Sequence, residues 1–335
     1  MRIAVDAMGG DFAPAEIVAG CVDAAKAGYG VKKLILVGDE TAIKQELARF
    51  NDVPSVIEVV HASEVVGMDE SPAVAIRRKK DASISRATDL VKHGEADAVF
   101  SAGNTGAAVV AATLKLRTLA GVSRPAIATV MPTVSKPCVL LDAGANTDCT
   151  PQMLCEFAAM GEVYSREILG VKKPRVGLLS IGEEDAKGND TTKEAFKILE
   201  GSSLNFVGNV ESRDLFEGRV DVVSCDGFVG NVVLKTSESV AKAMGSWMKT
   251  AFTKSRVRKF GALILKGALK ELRSTADPSS YGGAPLLGAN GVVFIGHGSS
   301  KALSAQNAIR VISESIQHDI NHHIVERVNE LGVPA

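Results

Sequence analysis

Short aliphatic runs alternate with segments of helical period along almost the whole chain. The runs fall at residues 3–7, 33–37, 56–60, 97–100, 126–130, 138–142, 175–180, 205–207, 221–224 and 292–295. Runs of this length without a polar face predict strands buried on both sides. Between them, apolar residues recur at three- and four-residue spacings over 15–27, 105–118, 151–169, 191–199 and 230–252, which predicts helices. Residues 299–330 read as one long closing helix packed over the rest. Strands alternating with helices predict an α/β sheet covered on both faces. No repeat, low-complexity tract or Pro/Ser linker divides the chain, so residues 1–335 read as a single large α/β unit of two intertwined subdomains.

One helical pattern departs from this scheme. Over residues 256–273, Val257, Phe260, Gly261, Ile264, Leu265, Ala268, Leu269 and Leu272 make one broad apolar face. Lys259, Lys266, Lys270 and Arg273 cluster opposite, Glu271 is the only acid, and Leu263 breaks the pattern on the basic side. A basic amphipathic helix suits an anionic membrane surface, and equally a core or a partner subunit. Gly261 and Gly267 weaken a continuous helix and leave a hairpin of two short ones open. Phe260, Ile264, Leu265 and Leu269 are the candidate membrane-contact residues.

Composition narrows the classes. Thirty-eight basic residues face 39 acidic ones, so no global field steers the protein toward nucleic acid, and a charged partner must meet a local patch. Aromatics are 4% of the chain, too few for a base-stacking platform. The odd set Cys21, Cys138, Cys149, Cys155 and Cys225 contains no C-x-x-C pair and reads as reduced, mostly buried thiols of a cytoplasmic protein. No secretory signal precedes the first strand, and no stretch approaches the roughly 18 apolar residues that span a bilayer.

The candidate chemistry lies in the turns that follow strands. They read DAMGGD (6–11), SAGNTG (101–106), LDAGAN (141–146), SIGEEDAKGN (180–189), GNVESRD (208–214), CDGFVGN (225–231) and GHGSSK (296–301). In open α/β sheets ligands bind outside the carboxyl ends of strands. Glycines let the backbone approach an anion, and the first amides of a helix are free to bind it. Seven such turns, rich in Gly with Asn, Asp or Ser, predict one large polar cleft for an anionic ligand.

Standard signatures fail. There is no G-x-x-x-x-G-K-[ST], and Gly296-x-Gly298 carries Lys301 where a dinucleotide fingerprint needs its third glycine. Ser180 before Gly182 lacks the first glycine of a nucleophile elbow, which Leu178 replaces. No cysteine stands in a context that marks a nucleophile. His318 and His322, with Asp319, His323 and Glu326 nearby, have the spacing of a helical metal pair. Without a fourth ligand in a known pattern they read better as a solvated or oligomer-contacting helix. Arg77, Arg78, Lys79 and Lys80 form a basic run that reads either as a solvated helix face or as a grip for an acidic protein.

Taken together, MRIAVDAMGGD (1–11), SAGNTGA (101–107), RPAIA (124–128), LLDAGAN (140–146), KGN (187–189), GNVESRD (208–214), DGFVGNVVLKT (226–236), YGGAPLLG (281–288) and HGSS (297–300) resemble the phosphate acyltransferase family of bacterial phospholipid synthesis, the PlsX proteins. The resemblance covers the chain in order from end to end. It implies reversible transfer of a fatty acyl group from acyl carrier protein to inorganic phosphate, giving an acyl phosphate used by a membrane glycerol-3-phosphate acyltransferase. It further implies a homodimer, a three-layer α/β/α fold like those of isocitrate dehydrogenase and phosphotransacetylase, and no metal or organic cofactor.

The residues suit that chemistry. Phosphate near neutral pH is already a nucleophile, so the site must place it beside the thioester and stabilise the oxyanion that forms. Lys187 is the only cation between Arg175 and Lys193 and is the candidate partner of phosphate, with Glu183, Glu184 and Asp185 beside it. Asn231 at a helix start is the candidate donor to phosphate or to the thioester oxygen. The resemblance associates both positions with activity. Asn104, Thr105, Asn146, Asn189, Asn209, Arg213 and Ser299 are the candidate phosphate- or substrate-binding residues, and any Asn among them equally suits a helix cap. An acidic carrier protein needs a basic patch, for which Arg77–Lys80 and the cluster at 256–259 both qualify. The expected protein is cytoplasmic and peripherally membrane-associated. The rival readings are a short-chain phosphotransacetylase using acyl-CoA and a non-enzymatic membrane-surface scaffold.

Overall fold

All ten aliphatic runs become strands; most are buried between two layers of helices, whereas the edge strands at 57–61 and 206–210 are only partly buried, since each has a neighbour on one side alone. The computed structural model describes residues 1–275 and 281–331, except for the side chains of 270 and 272–275. Its strands are β1 (Arg2–Asp6), β2 (Lys33–Gly38), β3 (Ile57–His61), β4 (Ala98–Ser101), β5 (Ala126–Met131), β6 (Cys138–Leu141), β7 (Val176–Leu179), β8 (Phe206–Val210), β9 (Val222–Ser224), β10 (Ala284–Leu287) and β11 (Val292–Ile295). They form one sheet in the order β3-β2-β1-β4-β11-β10-β5-β6-β9-β7-β8.

Helices α1 (Ala15–Ala27), α2 (Glu40–Leu47), α3 (Pro72–Arg78), α4 (Ser83–Lys92), α5 (Thr105–Lys115), α6 (Pro151–Glu167), α7 (Asp190–Glu200), α8 (Ser212–Glu217), α9 (Gly227–Thr253), α10 (Arg256–Ile264), α11 (Lys266–Thr275), α12 (Ala302–Gln317) and α13 (Ile320–Glu330) complete the chain. In β1, Ile3 and Val5 pack with Ile17 and Cys21 of α1 and Ile309 of α12, while Ala4 faces Ala87 of α4 and Ala108 of α5. Every second residue therefore serves the opposite layer, which is why the run needs no polar positions.

Strand direction reverses at the centre of the sheet. β1, β2, β3, β4 and β11 run parallel to one another. β10 is antiparallel to both β11 and β5, and β5 is antiparallel to β6. β6, β9, β7 and β8 are again mutually parallel. The carboxyl ends of β1, β4 and β11 therefore lie at one end of the sheet, and those of β6, β9, β7 and β8 at the other. The seven turns expected around one cleft divide into three and four. The reversal was hidden because β10, Ala284–Leu287 inside YGGAPLLG, was not among the predicted strands.

The closing segment is two helices, not one. Asp319 adopts a left-handed conformation (φ 45°) between α12 and α13. His318 caps the end of α12, beside Glu167 of α6, whereas His322 pairs with Glu326 on α13. The expected four-residue helical spacing of the two histidines does not exist. The basic run at 77–80 is likewise no single helix face, since α3 ends at Arg78 and Lys79 pairs with Glu70.

α9 leaves the body. Its 27 residues extend about 40 Å at 1.5 Å per residue, and only Gly227 and Gly230 in its first turn are buried. α10 packs back against it. The amphipathic pattern expected over 256–273 is divided at Leu265 into α10 and α11. Phe260, Ile264 and Leu265 are exposed, as are Trp247 (68%) and Met244 (52%) of α9, while Leu269 is half-buried. Lys270, Leu272 and Arg273 of that pattern have side chains outside the described residues. Among the described residues no helix is long and apolar enough to cross a membrane.

Candidate functional site

The four turns at the carboxyl end of β6-β9-β7-β8 form a continuous rim, since those strands are neighbours in that order. Asp142 organises its first part. The carboxylate is wholly buried and accepts from the backbone N–H of Ile127 (3.0 Å), Gly144 (3.0 Å), Ala145 (3.0 Å) and Asn146 (2.7 Å), and from Asn146 Nδ2 (2.9 Å). Burial nevertheless holds its pKa above the usual carboxylate range. An Asp directly after a strand and before Gly is the sequence signal of such a turn, although the sequence reading placed function on Asn146 instead. The Asn146 side chain is spent on Asp142 and on the carbonyl of Pro125 (2.8 Å).

The start of α9 docks on this turn. Asp226 caps the helix by accepting from Val229 N (2.8 Å), and Gly227 N donates to Asn146 O (2.7 Å). Gly227 and Gly230 bring the helix against Asp142 and Asn146 where a side chain would not fit. Asn231 follows, exposed, with its side chain over Gly144: a Cβ there would lie 3.6 Å from Asn231 Cγ. Gly144 has φ +139°, a conformation L-residues rarely adopt. Two thiols flank the junction, Cys225 donating to Asp142 O and Cys149 to Asn146 O. Burial pushes the Cys149 thiol up to about 12.

The third part is the turn from Ser180 to Asn189. Asn189 caps α7 by accepting from Thr192 N (2.9 Å), and the stem of Lys187 folds over Gly182. Among the described residues the Lys187 ammonium forms no ion pair. The neighbouring acid Glu183 is taken by Arg213 (2.7 Å) and Arg219 (3.9 Å). Arg213 also pairs with Glu211 at 3.1 Å, which commits its guanidinium to protein carboxylates. Asn209, at the tip of β8, donates through Nδ2 to Glu184 O (2.9 Å). The rim thus gathers Asn146, Asn231, Lys187, Asn189, Asn209 and Arg213. Lys187 and Asn231 are its exposed polar groups with the least commitment to the protein.

Asn104, Thr105 and Ser299 lie at the other end of the sheet. Asn104 is a structural clamp: Nδ2 donates to the carbonyls of Gly67, Met68 and Glu70, and Oδ1 caps α5 by accepting from Ala107 N. Thr105 is exposed at the first position of α5, and Ser299 Oγ lies 2.8 Å from His297 Nδ1. Sequence reading passed over the buried Asp6 beside them, which accepts from Ser101 Oγ (2.7 Å) and Met8 N (3.2 Å) and has its pKa raised by burial. Among the described residues no group of three or more His, Cys, Asp or Glu is placed to hold a metal ion.

This geometry has clear relatives. A family model described as "Fatty acid synthesis protein" matches residues 1–323. A phosphate acyltransferase of Pelotomaculum thermopropionicum is 51% identical over 333 residues, 99% of this chain and 96% of that one. A phosphate acyltransferase of Geotalea uraniireducens is 50% identical over 330 residues, covering 98% and 95%. Among solved structures, a phosphotransacetylase from Streptococcus pyogenes shares the fold with a TM-score of 0.63 at 18% identity, over 94% of both chains.

Proposed function

The chain belongs to the fatty acid synthesis protein family, an acyltransferase family, and from that premise we propose that it transfers a fatty acyl group from an acyl carrier protein thioester to inorganic phosphate. The product is an acyl phosphate, and its use is the acylation of glycerol 3-phosphate by a membrane acyltransferase on the way to phosphatidic acid. The observation that carries the reading is the rim itself: Lys187, which among the described residues forms no ion pair, and the amide donor Asn231 stand on neighbouring turns at one end of a parallel β6-β9-β7-β8 array.

In this mechanism Lys187 pairs with phosphate and holds it against the thioester. A phosphate oxygen attacks the carbonyl carbon directly and forms the C–O bond. Asn231 donates to the oxyanion of the tetrahedral intermediate, whose collapse breaks the C–S bond and releases the carrier's thiolate to take up a proton. Placement and electrostatic stabilisation supply the acceleration, as suits a nucleophile that needs no activation. No acyl-enzyme is involved, in keeping with thiols that burial keeps protonated.

The projecting arm α9–α11 fits the remaining parts of the reading. Its exposed apolar side chains and its lysines and arginines suit a partner subunit, the surface of an anionic membrane, and the acidic carrier protein. A homodimer held at the membrane surface would deliver a poorly soluble product where it is consumed.

The test is phosphate-dependent loss of thioester absorbance with purified protein. Long-chain acyl carrier protein is the expected donor. Equal or faster turnover of acetyl-CoA would replace this reading with a short-chain phosphotransacetylase, and no phosphate-dependent loss with either thioester would leave the scaffold reading.

A further inference from the structure

Two buried polar atoms at the tips of β7 and β8 have no partner: Ser180 Oγ and Asn209 Oδ1. Asn209 is only 5% exposed. Its orientation is set by chemistry, because the group facing the carbonyl of Glu184 at 2.9 Å must be the N–H donor, which leaves the oxygen as the free end. The register puts both atoms on one face. Asn209 pairs with Leu178, and Ser180 lies two residues further along β7. Leu178 packs in the same core as Ala195 and Leu199 of α7, so this is the face that α7 covers. The Asn209 amide reaches Glu184, and a Cβ at Gly188 would lie 3.2 Å from Ser180 Oγ. Both orphaned atoms therefore sit under the turn that carries Lys187.

A buried polar group without a partner is costly, because it has given up its hydrogen bonds to water for nothing. Two beneath one candidate anion-binding turn point to a ligand that satisfies them. Their senses differ. The serine hydroxyl donates or accepts, whereas the carboxamide oxygen only accepts. A ligand that donates to the carboxamide oxygen and accepts from the hydroxyl satisfies both at once. Monohydrogen phosphate does so, with one P–OH and three bare oxygens. Sulfate has the same shape and charge and no proton to donate. Along the turn Glu184, Asp185 and Asp190 lie within three residues of Lys187, and carboxylates there can accept a proton from hydrogen phosphate but only repel sulfate.

We infer that Asn209 Oδ1 accepts the proton of bound hydrogen phosphate, with Ser180 donating to a bare oxygen of the same anion, and that this pair makes the site select phosphate over sulfate. The inference rests on the proposed role of the Lys187 turn as the phosphate seat. The turn covers both atoms, so direct contact with the anion requires the segment between Gly182 and Gly188 to move.

The experiment compares the two anions on the full chain, by calorimetry and by sulfate competition in the acyl-transfer assay. A site built around a donated proton rejects the analogue lacking it, and wild-type protein is expected to bind sulfate at least about a hundredfold more weakly than phosphate. Asn209→Ala is expected to raise KM for phosphate about tenfold with sulfate binding and the acyl-donor KM unchanged, so that the selectivity collapses. Ser180→Ala is expected to weaken both anions alike and preserve the ratio. Equal binding of phosphate and sulfate to wild-type protein overturns the inference without any variant, and so does an unchanged ratio in Asn209→Ala. Lys187→Ala separates the two levels. If it leaves KM for phosphate unaltered, the seat lies elsewhere and the underlying reading fails; if it raises that KM while Asn209→Ala does nothing, only this inference fails.

Discussion

Gly230 meets the main-chain carbonyl of Asp142 so closely that any side chain at position 230 would overlap it. The contact joins the tip of β6 to the first turn of α9 and so sets the height of Asn231, the next residue. Gly227 repeats the arrangement one turn earlier, where a Cβ would lie 2.7 Å from Asn146 O and 2.9 Å from Asp142 Oδ2.

Gly230→Ala should therefore push the helix start outward. Overpacking of this kind costs about 1–3 kcal/mol. A domain of this size with its several cores should tolerate that loss, so the variant is expected to remain folded by circular dichroism while acyl transfer falls at least about tenfold, as expected when a donor is moved off its target. Unchanged turnover would mean that Asn231 needs no fixed position.

Lys187→Ala and Asn231→Ala should separate binding from chemistry. Both side chains are exposed, so folding and melting temperature should stay close to wild type. Loss of the lysine is expected to raise KM for phosphate. Loss of an oxyanion donor is expected to lower kcat by about a hundredfold with a smaller change in KM. Steady-state kinetics in both substrates checks this, and wild-type constants in either variant would remove that residue from the mechanism.

Sequence foresight was strong where burial is local and weak where contacts are distant. β1, β2, β5 and β11 were legible because a continuous aliphatic run has few alternatives to a strand between two layers. α1 and α6 were legible from their period. β10 was not, since Ala284–Leu287 is short, contains Pro285 and is bounded by glycines, and without it the reversal of the sheet cannot be inferred. The break at Asp319 carries neither Gly nor Pro, and Asp is among the few residues that tolerate a left-handed backbone. Asn104 read as a ligand because its partners, the carbonyls of Gly67, Met68 and Glu70, lie 34 to 37 residues away. Lys187 and Asn231 were legible as residue types at strand ends. The unpartnered oxygen of Asn209 was not, because it exists only once β8 is paired with β7.

Direct attack by phosphate predicts that the thiols are dispensable. Cys149 stands beside the Asn231 turn, but its folded pKa is pushed up to about 12, first by burial and then by Asp142. Below that value the thiolate is the minor form and gains a factor of ten per pH unit. Alkylation of Cys149 by iodoacetamide should therefore be slow near pH 8 and accelerate continuously toward pH 11. Cys149→Ala should keep turnover within about twofold, as a surface-near change outside the reacting groups does. Rapid labelling at neutral pH, or a covalent acyl adduct trapped at this residue with labelled donor, would replace direct attack with an acyl-enzyme.

The arm supplies the last prediction. Phe260, Leu263 and Ile264 on α10 and Leu265 just after it are each at least 49% exposed, with Arg256, Arg258 and Lys259 on the same short helix. Burying one such side chain in a membrane interface is worth about 1.5–3 kcal/mol, and each nearby cation adds about 1 kcal/mol on anionic lipid. A single Phe260→Glu change both removes the apolar gain and sets a negative charge against the lipid. It should release the protein from vesicles rich in anionic phospholipid, as read by flotation, while binding to neutral vesicles stays weak in both proteins. Raised salt should release wild-type protein only in part, because the apolar share of the attachment is not screened. The competing use of the same face is a partner subunit, and sedimentation distinguishes them. If Phe260→Glu dissociates a dimer and leaves flotation unchanged, the face belongs to the second copy of the chain. If it abolishes flotation and leaves the assembly intact, the face belongs to the bilayer.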